Sequence, residues 1–289
     1  MTQHRVGILG GSGLYQMEGV EVEDSVNIET PFGTPSDAYT LCSIDGQEMV
    51  FLPRHGEGHR LLPQEINFRA NIYGFKKLGV DRIIALSAVG SLRKDIAPRD
   101  VVVPDQFIDR THGREDTFFG EGIVAHISFA DPVCPELAEH VAAAVDNCPE
   151  DVTVHKGGTY LCMEGPAFST RAESNLYRSW DVSVIGMTNL QEAKLAREAE
   201  ICYATAALVT DYDCWYEEEE EVSVEMLLEN LRQNAATSQE IIRRAVPRLK
   251  EERTCECGSA LENAILTAPE QMPEETKNRL DIIIGEYVK

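Results

Sequence analysis

The apolar run ICYATAALV, residues 201–209, ends in TDYDCW, where two carboxyl groups stand two positions apart. Residues two apart on an extended chain point the same way, so Asp211 and Asp213 are expected to look into one space and Tyr212 into the other. Two acids in a partly buried space titrate as a pair, and burial together with the like charge favours keeping a proton. Such a pair is either a site or a costly accident.

Four other stretches carry groups that bind anions. GILGGSGLY, from residue 7, sets glycines 7, 10, 11 and 13 and Ser12 after an apolar strand, where backbone N–H groups can approach an anion closely. It matches neither GxGxxG nor GxxxxGK[ST]. PRHGEGH (53–59) offers Arg54 and His55 as a bidentate guanidinium and a second donor for a dianion. ALSAVGSL (85–92) offers the Ser87 hydroxyl and the backbone at Ala88, and EGPAFSTRAE (164–173) adds the Phe168 ring and the Ser169 hydroxyl before a helix. All four follow predicted strands, where ligand sites collect on open α/β sheets, so together they suggest an inorganic-phosphate pocket beside an aromatic platform.

The elements that must position these groups are short apolar strands at 6–10, 49–53, 82–90, 100–104, 159–165, 182–187 and 203–211. They alternate with helical stretches at 64–78, 134–146, 169–179, 190–199 and 223–245. The pattern predicts an α/β fold with a sheet covered on both sides. Ser223 is placed to cap the last helix, and Glu217–Glu221 precede it where the helix dipole favours negative charge. Residues 1–247 read as one domain. Residues 248–289 read as a peripheral extension, packed on the domain or forming an oligomer contact.

With 289 residues, 43% of them hydrophobic, the chain can bury a large core. Forty-nine acids against 26 bases give a net charge of -23, which argues against nucleic acid and anionic membranes as partners. The acids are scattered as on the surfaces of salt-adapted proteins. The N-terminus shows no leader pattern and no run of about 18 apolar residues occurs, so a cytoplasmic location is expected. The eight cysteines form no CxxC pair, there is no HExxH, and no metal or organic cofactor is expected. The CEC at 255–257 reads either as a strained redox pair or as a partner for other thiols.

The blocks GILGGSGLY, ETPFGTPSD, LPRHGEGH, INFRANI, GSLRKDIAPRDVVVPDQFIDRT, HISFADPVCP, MEGPAFSTRAES, IGMTNLQEAKLARE and TDYDCW occur in that order. Over about residues 5–245 the chain resembles the purine nucleoside phosphorylase superfamily, in its trimeric branch. The resemblance implies a single α/β domain whose twisted mixed sheet, partly barrel-like, is flanked by helices. It places phosphate at Ser12, Arg54, His55, Ser87, Ala88, Ser169 and Thr188. Met187 would accept ribose hydroxyls through its backbone, Phe168 would stack near the base, and Asp211, Tyr212 and Asp213 would meet the purine, with Asp211 protonating N7.

By the same resemblance Val224, Leu227 and Leu228 line a 5'-methylthio pocket, His126 reaches a neighbouring subunit's site, and the assembly is a homotrimer or a dimer of trimers. Serine stands at 12 and 87 where some relatives have threonine, and Gln191 where some have proline, which touches only local backbone shape. The tail is similar to CxC tails of some archaeal members, in which such cysteines pair, so a salt-adapted archaeal source is expected. The implied reaction is phosphorolysis of S-methyl-5'-thioadenosine. The alternatives are a broader purine nucleoside phosphorylase acting on adenosine or inosine, and a non-catalytic purine or phosphate sensor.

Overall fold

The computed structural model describes residues 5–11, 14, 17–148, 152–216, 224–249 and 252–288, without the side chains of 224–231. Ser12, the glutamates 217–221 and Ser223 lie outside the described residues. Every strand expected from apolar runs forms: β1 (Arg5–Gly10), β4 (Gln47–Pro53), β5 (Val80–Ser91), β6 (Val101–Val103), β9 (Thr159–Met163), β10 (Val184–Gly186) and β11 (Cys202–Asp211). Four more join them, β2 (Val20–Val26), β3 (Tyr39–Ile44), β7 (Gln106–Arg110) and β8 (Val154–Lys156). The helices α1 (Phe68–Lys77), α2 (Pro135–Asp146), α3 (Arg171–Ser179), α4 (Asn189–Glu198) and α5 (Val224–Ala245) fall at the expected places. Short helices α6 (Glu274–Arg279) and α7 (Asp281–Ile284) follow in the tail.

The single mixed sheet runs in the order β2-β3-β4-β1-β5-β10-β9-β7, and a second arm, β11-β6-β8, leaves from β5. Its centre is β5, whose twelve residues serve three partners. On one edge β11 runs parallel to it from Arg82 to Gly90. On the other edge β1 pairs only as far as Ala85, and antiparallel β10 begins only at Gly90. Residues 86–89 therefore have no strand beside them on that edge among the described residues.

Alternation along the strands divides the core into two layers. Ile84 and Ala204 face Val141 of α2 and Ile241 of α5, while Ile83 and Tyr203 face Phe75 of α1 and Leu195 of α4. The tail contributes Leu261, Ala264, Leu280, Ile283 and Ile284 to the second layer. Its backbone bonds the strip before α2, with His126 N donating to Ala264 O and Leu266 N to Val124 O, both at 2.8 Å. No helix among the described residues is long and apolar enough to cross a membrane.

Candidate functional site

The gap beside β5 opens into a cleft of about 960 Å³. Leu86 sends its carbonyl into the gap, where Arg54 Nη1 donates to it at 2.9 Å. Since backbone groups of alternate strand residues point to the same edge, Ala88 presents its unpaired N–H there too. The Ser87 hydroxyl sits beside it, 3.5 Å from Tyr160 Oη. Thr188, the N-cap of α4, lines the same end and aims that helix's N-terminus at the cleft, a ready anion site.

Arg54 lies in this cluster, but not as the expected free fork. Its Nε and Nη2 face the buried Glu192 carboxylate, Nη2 to Oε2 at 3.1 Å, and Nη2 also donates to Leu9 O at 3.3 Å. Tyr203 Oη donates to Glu192 Oε2 at 2.8 Å and receives Asn189 Nδ2 at 2.8 Å. The bidentate face is thus spent inside the protein, leaving Arg54 one Nη1 N–H for an anion. His55 donates Nδ1–H to Leu61 O at 2.8 Å, which puts the lone pair on Nε2. Burial, with Arg54 nearby, pulls its pKa down to about 4, so the ring is neutral at pH 7.

At the other end of the cleft stand the two acids. Both line it, although the backbone is not the straight strand that the sequence suggested. The β11 register slips at Thr210, so Asp211 pairs with Gly90, and the chain then enters a single 3₁₀ turn, Asp213–Trp215. Asp213 takes φ +52°, a strained conformation that tight packing must hold. Gly90 makes this possible: a Cβ there would meet Asp211 Oδ1, the Asp213 Cβ and the Ile185 side chain, each at 3.3 Å.

The acids differ in their partners. Asp211 accepts from Thr210 Oγ1 at 2.6 Å and from the Asp213 N–H at 2.8 Å, one bond to each oxygen. Asp213 Oδ2 is buried with no hydrogen-bond partner. Burial raises the pKa of the Asp213 carboxyl against the opposing pull of the Ser174 hydroxyl and the Cys214 N–H, and the Asp211 charge adds to the rise. Asp211 thus has a donor on each oxygen, while Asp213 turns its Oδ2 away from any donor within hydrogen-bond distance.

Between the two ends the cleft is apolar, with Met163, Ile185, Met187 and Phe168 among its walls. The Met187 carbonyl, expected to meet ribose hydroxyls, already accepts Arg114 Nη1 at 2.5 Å, leaving one lone pair. Arg114 also bonds the Glu164 carboxylate at 3.1 Å and Gln191 Oε1 at 3.3 Å, which ties the 163–165 turn to the start of α4. Gln191 further donates to Thr111 Oγ1 at 2.8 Å, so its side chain, and not only its backbone, shapes this wall. In that turn Gly165 has φ +71°, and a Cβ there would strike Met187 Sδ at 2.6 Å. Phe168 is 83% exposed at the cleft mouth. Phe168→Ala is expected to raise the KM of an aromatic substrate about 2- to 10-fold with kcat nearly unchanged, the loss of one stacking contact. Steady-state kinetics checks this.

Three expected site residues lie elsewhere. Tyr212 packs on Trp215 and Tyr216 and does not line the cleft, on the side away from the acids that strand alternation suggests. Ser169 turns its hydroxyl to Met163 Sδ at 3.7 Å and is not among the residues lining the cleft. His126 lines a second hollow of about 480 Å³, with Lys194 and Glu198. Ser12 and the side chains of Val224, Leu227 and Leu228 fall outside the described residues, while the next turns of α5 bring Asn234, Ala235 and Ser238 to the cleft wall. Glu192 and Arg114 were missed from the sequence. Their partners are up to 138 residues away, and no local pattern marks them.

Comparison with known proteins places this arrangement. A family model described as the Phosphorylase superfamily matches residues 5–247. The chain is 62% identical over 284 residues to the S-methyl-5'-thioadenosine phosphorylase of Geobacter sulfurreducens, covering 98% of this chain and 99% of that one. It is 57% identical to the protein of the same name from Koribacter versatilis, over 99% and 97% of the two chains. A crystal structure of a methylthioadenosine phosphorylase from an antarctic soil metagenomic library superposes with a TM-score of 0.93 at 51% identity, covering 96% of this chain and 98% of the other. The named relatives are bacterial, and the expectation of a salt-adapted archaeal source is unsupported. With the matched model spanning nearly the whole sheet and the full cleft, this chain belongs to the phosphorylase superfamily.

Proposed function

We propose that the protein cleaves S-methyl-5'-thioadenosine with inorganic phosphate, giving adenine and 5-methylthioribose 1-phosphate, a step of purine and methionine salvage. One observation carries this reading: a single cleft holds anion donors at one end of the β5 gap and an acid pair at the other. Phosphate sits among the Ala88 N–H, Ser87, Thr188, the α4 N-terminus and the one Nη1 N–H of Arg54. Because His55 offers a lone pair, the dianion meets it through its own P–OH proton. A phosphate oxygen attacks C1' while the C1'–N9 bond breaks, so positive charge on the sugar builds next to the bound dianion.

The departing base gains charge at N7, where Asp213 delivers its proton and afterwards regains one from solvent. Asp211, with both oxygens accepting, receives the 6-amino N–H of adenine. A 6-oxo purine would set an acceptor against it. The start of α5, beside the turn that walls the cleft, reads the 5'-methylthio group through Val224, Leu227 and Leu228. The proposed assembly is a homotrimer or dimer of trimers in the cytoplasm, in which His126 serves a neighbour's site. No organic cofactor enters the scheme.

The test is release of free base from methylthioadenosine, adenosine and inosine, with and without phosphate. Adenine release from methylthioadenosine that needs phosphate and exceeds that from adenosine is expected. Release independent of phosphate would mean a hydrolase.

A further inference from the structure

Three distant segments bring cysteines to one point. Cys134 is the N-cap of α2, Cys202 opens β11, and in the tail Cys255 is the N-cap of a 3₁₀ turn, Glu256–Ser259, that contains Cys257. Their four sulfur atoms all lie within 4.8 Å of one another, and Cys202 Sγ and Cys255 Sγ are 3.3 Å apart. Cys134 and Cys202 are 1% exposed and Cys257 6%. All four are free thiols.

The surroundings hold the sulfurs in place. Cys134 N donates to Tyr203 O at 2.9 Å, beside Cys202. Thr254 N and Oγ1 both donate to Glu136 Oε2, at 2.9 and 2.6 Å, which fixes the chain just before Cys255 to the first turn of α2. Arg253 Nη1 donates to Glu200 O at 2.9 Å and lies 3.9 Å from Cys202 Sγ, bringing a positive charge to the cluster.

We propose that Cys134, Cys202, Cys255 and Cys257 form a tetrathiolate site for a soft divalent cation, zinc(II) foremost, which fastens the C-terminal extension to the domain. A tetrahedral zinc with Zn–S bonds of about 2.3 Å has sulfur–sulfur edges of about 3.8 Å. To reach that figure the longest separations contract by no more than about 1 Å and the Cys202–Cys255 pair opens by about 0.5 Å. Zinc binding a thiol releases its proton to solvent, and four thiolates leave a net charge that the Arg253 guanidinium partly offsets. Four protein ligands leave no open position, as in structural zinc sites. The nine residue steps from Cys202 to Asp211 separate the site from the acids by about 30 Å of strand, so the metal has no part in bond cleavage. The expectation of no metal rested on the absence of CxxC pairs, a pattern that says nothing of ligands drawn from separate segments.

The experiment uses the full chain, reduced and then dialysed against zinc under anaerobic conditions, with metal counted by mass spectrometry. One zinc per chain is expected, and four thiols should stay silent to a thiol reagent until a chelator is added. Cobalt(II) in its place should give thiolate-to-metal charge transfer and the visible bands of a tetrahedral centre. Cys257→Ser should lose the metal, Cys148→Ser should keep it, and Arg253→Met should weaken zinc binding about 10- to 100-fold. Removing zinc should lower Tm and expose residues 252–260 to protease, with kcat retained by the chains still folded. Wild-type protein that holds no more zinc than Cys257→Ser, or gives no tetrahedral cobalt spectrum, would overturn the site. So would finding the four sulfurs in two disulfides in protein prepared under reducing conditions. None of these metal readouts depends on the proposed reaction.

Discussion

Asp213→Asn lowers the turnover of adenine release about 10²- to 10⁴-fold, the range for losing a positioned general acid. The cause is the unpartnered, buried Oδ2 and the raised pKa of its carboxyl. An asparagine keeps the shape and an N–H but has no proton to surrender. The pH dependence follows by sign: the active form is protonated, so the rate is full below the folded pKa and falls as pH rises through it. Kinetics across pH should show this descending limb in the wild type and not in the variant. A 7-methylated nucleoside, which leaves without needing a proton at N7, should be cleaved equally by both. If Asp213→Asn slows that substrate as much, Asp213 is not the proton donor. Asp211→Asn is the contrasting case, expected to lose most activity on 6-aminopurines and to gain relative activity on 6-oxopurines. An unmoved preference would remove Asp211 from base selection.

Glu192→Gln costs about 3–5 kcal/mol of stability, because it leaves the buried Arg54 guanidinium without its counter-charge. The two side chains are 1% and 4% exposed, so solvent cannot replace the lost partner. Tyr203 Oη also loses the carboxylate it donates to. A fall in Tm of about 10 °C follows for a domain of this size, read by calorimetry. The phosphate KM should rise as well, since Arg54 is no longer aimed. An Arg54→Met, Glu192→Leu pair should recover much of the Tm but not phosphate binding, which separates support of the fold from support of the anion. A Glu192→Gln protein within 2 °C of wild type would show that the pair is dispensable.

The sequence marked the elements whose physics is local. Strands β1, β4, β5 and β11 are apolar runs buried on both faces, and such runs are visible without any partner. Strand β2, VEVEDSV, is exposed along most of its length, and β8 has three residues, so neither carries an apolar signal. The acid pair was found by a period-two argument that the chain does not obey beyond Thr210; a bulge and a tight turn deliver both acids to the cleft. Resemblance supplied Thr188 and Met187, which no spacing rule would single out. It could not supply Glu192, Arg114 or the converging cysteines, because a long-range pairing of buried charges or thiols leaves no periodic trace.

The open stretch of β5 also acts as a ruler. The amide at Ala88, where the proposal puts phosphate, and Gly90, which pairs with Asp211, are two residues apart on one strand, about 7 Å. In the proposed reaction the span between attacking and leaving groups is thus set by backbone pitch and not by side-chain reach. Inserting or deleting one residue between 88 and 90 would change that span and turn the β5 backbone beyond it, Gly90 included, to the other edge, away from the acids packed against it.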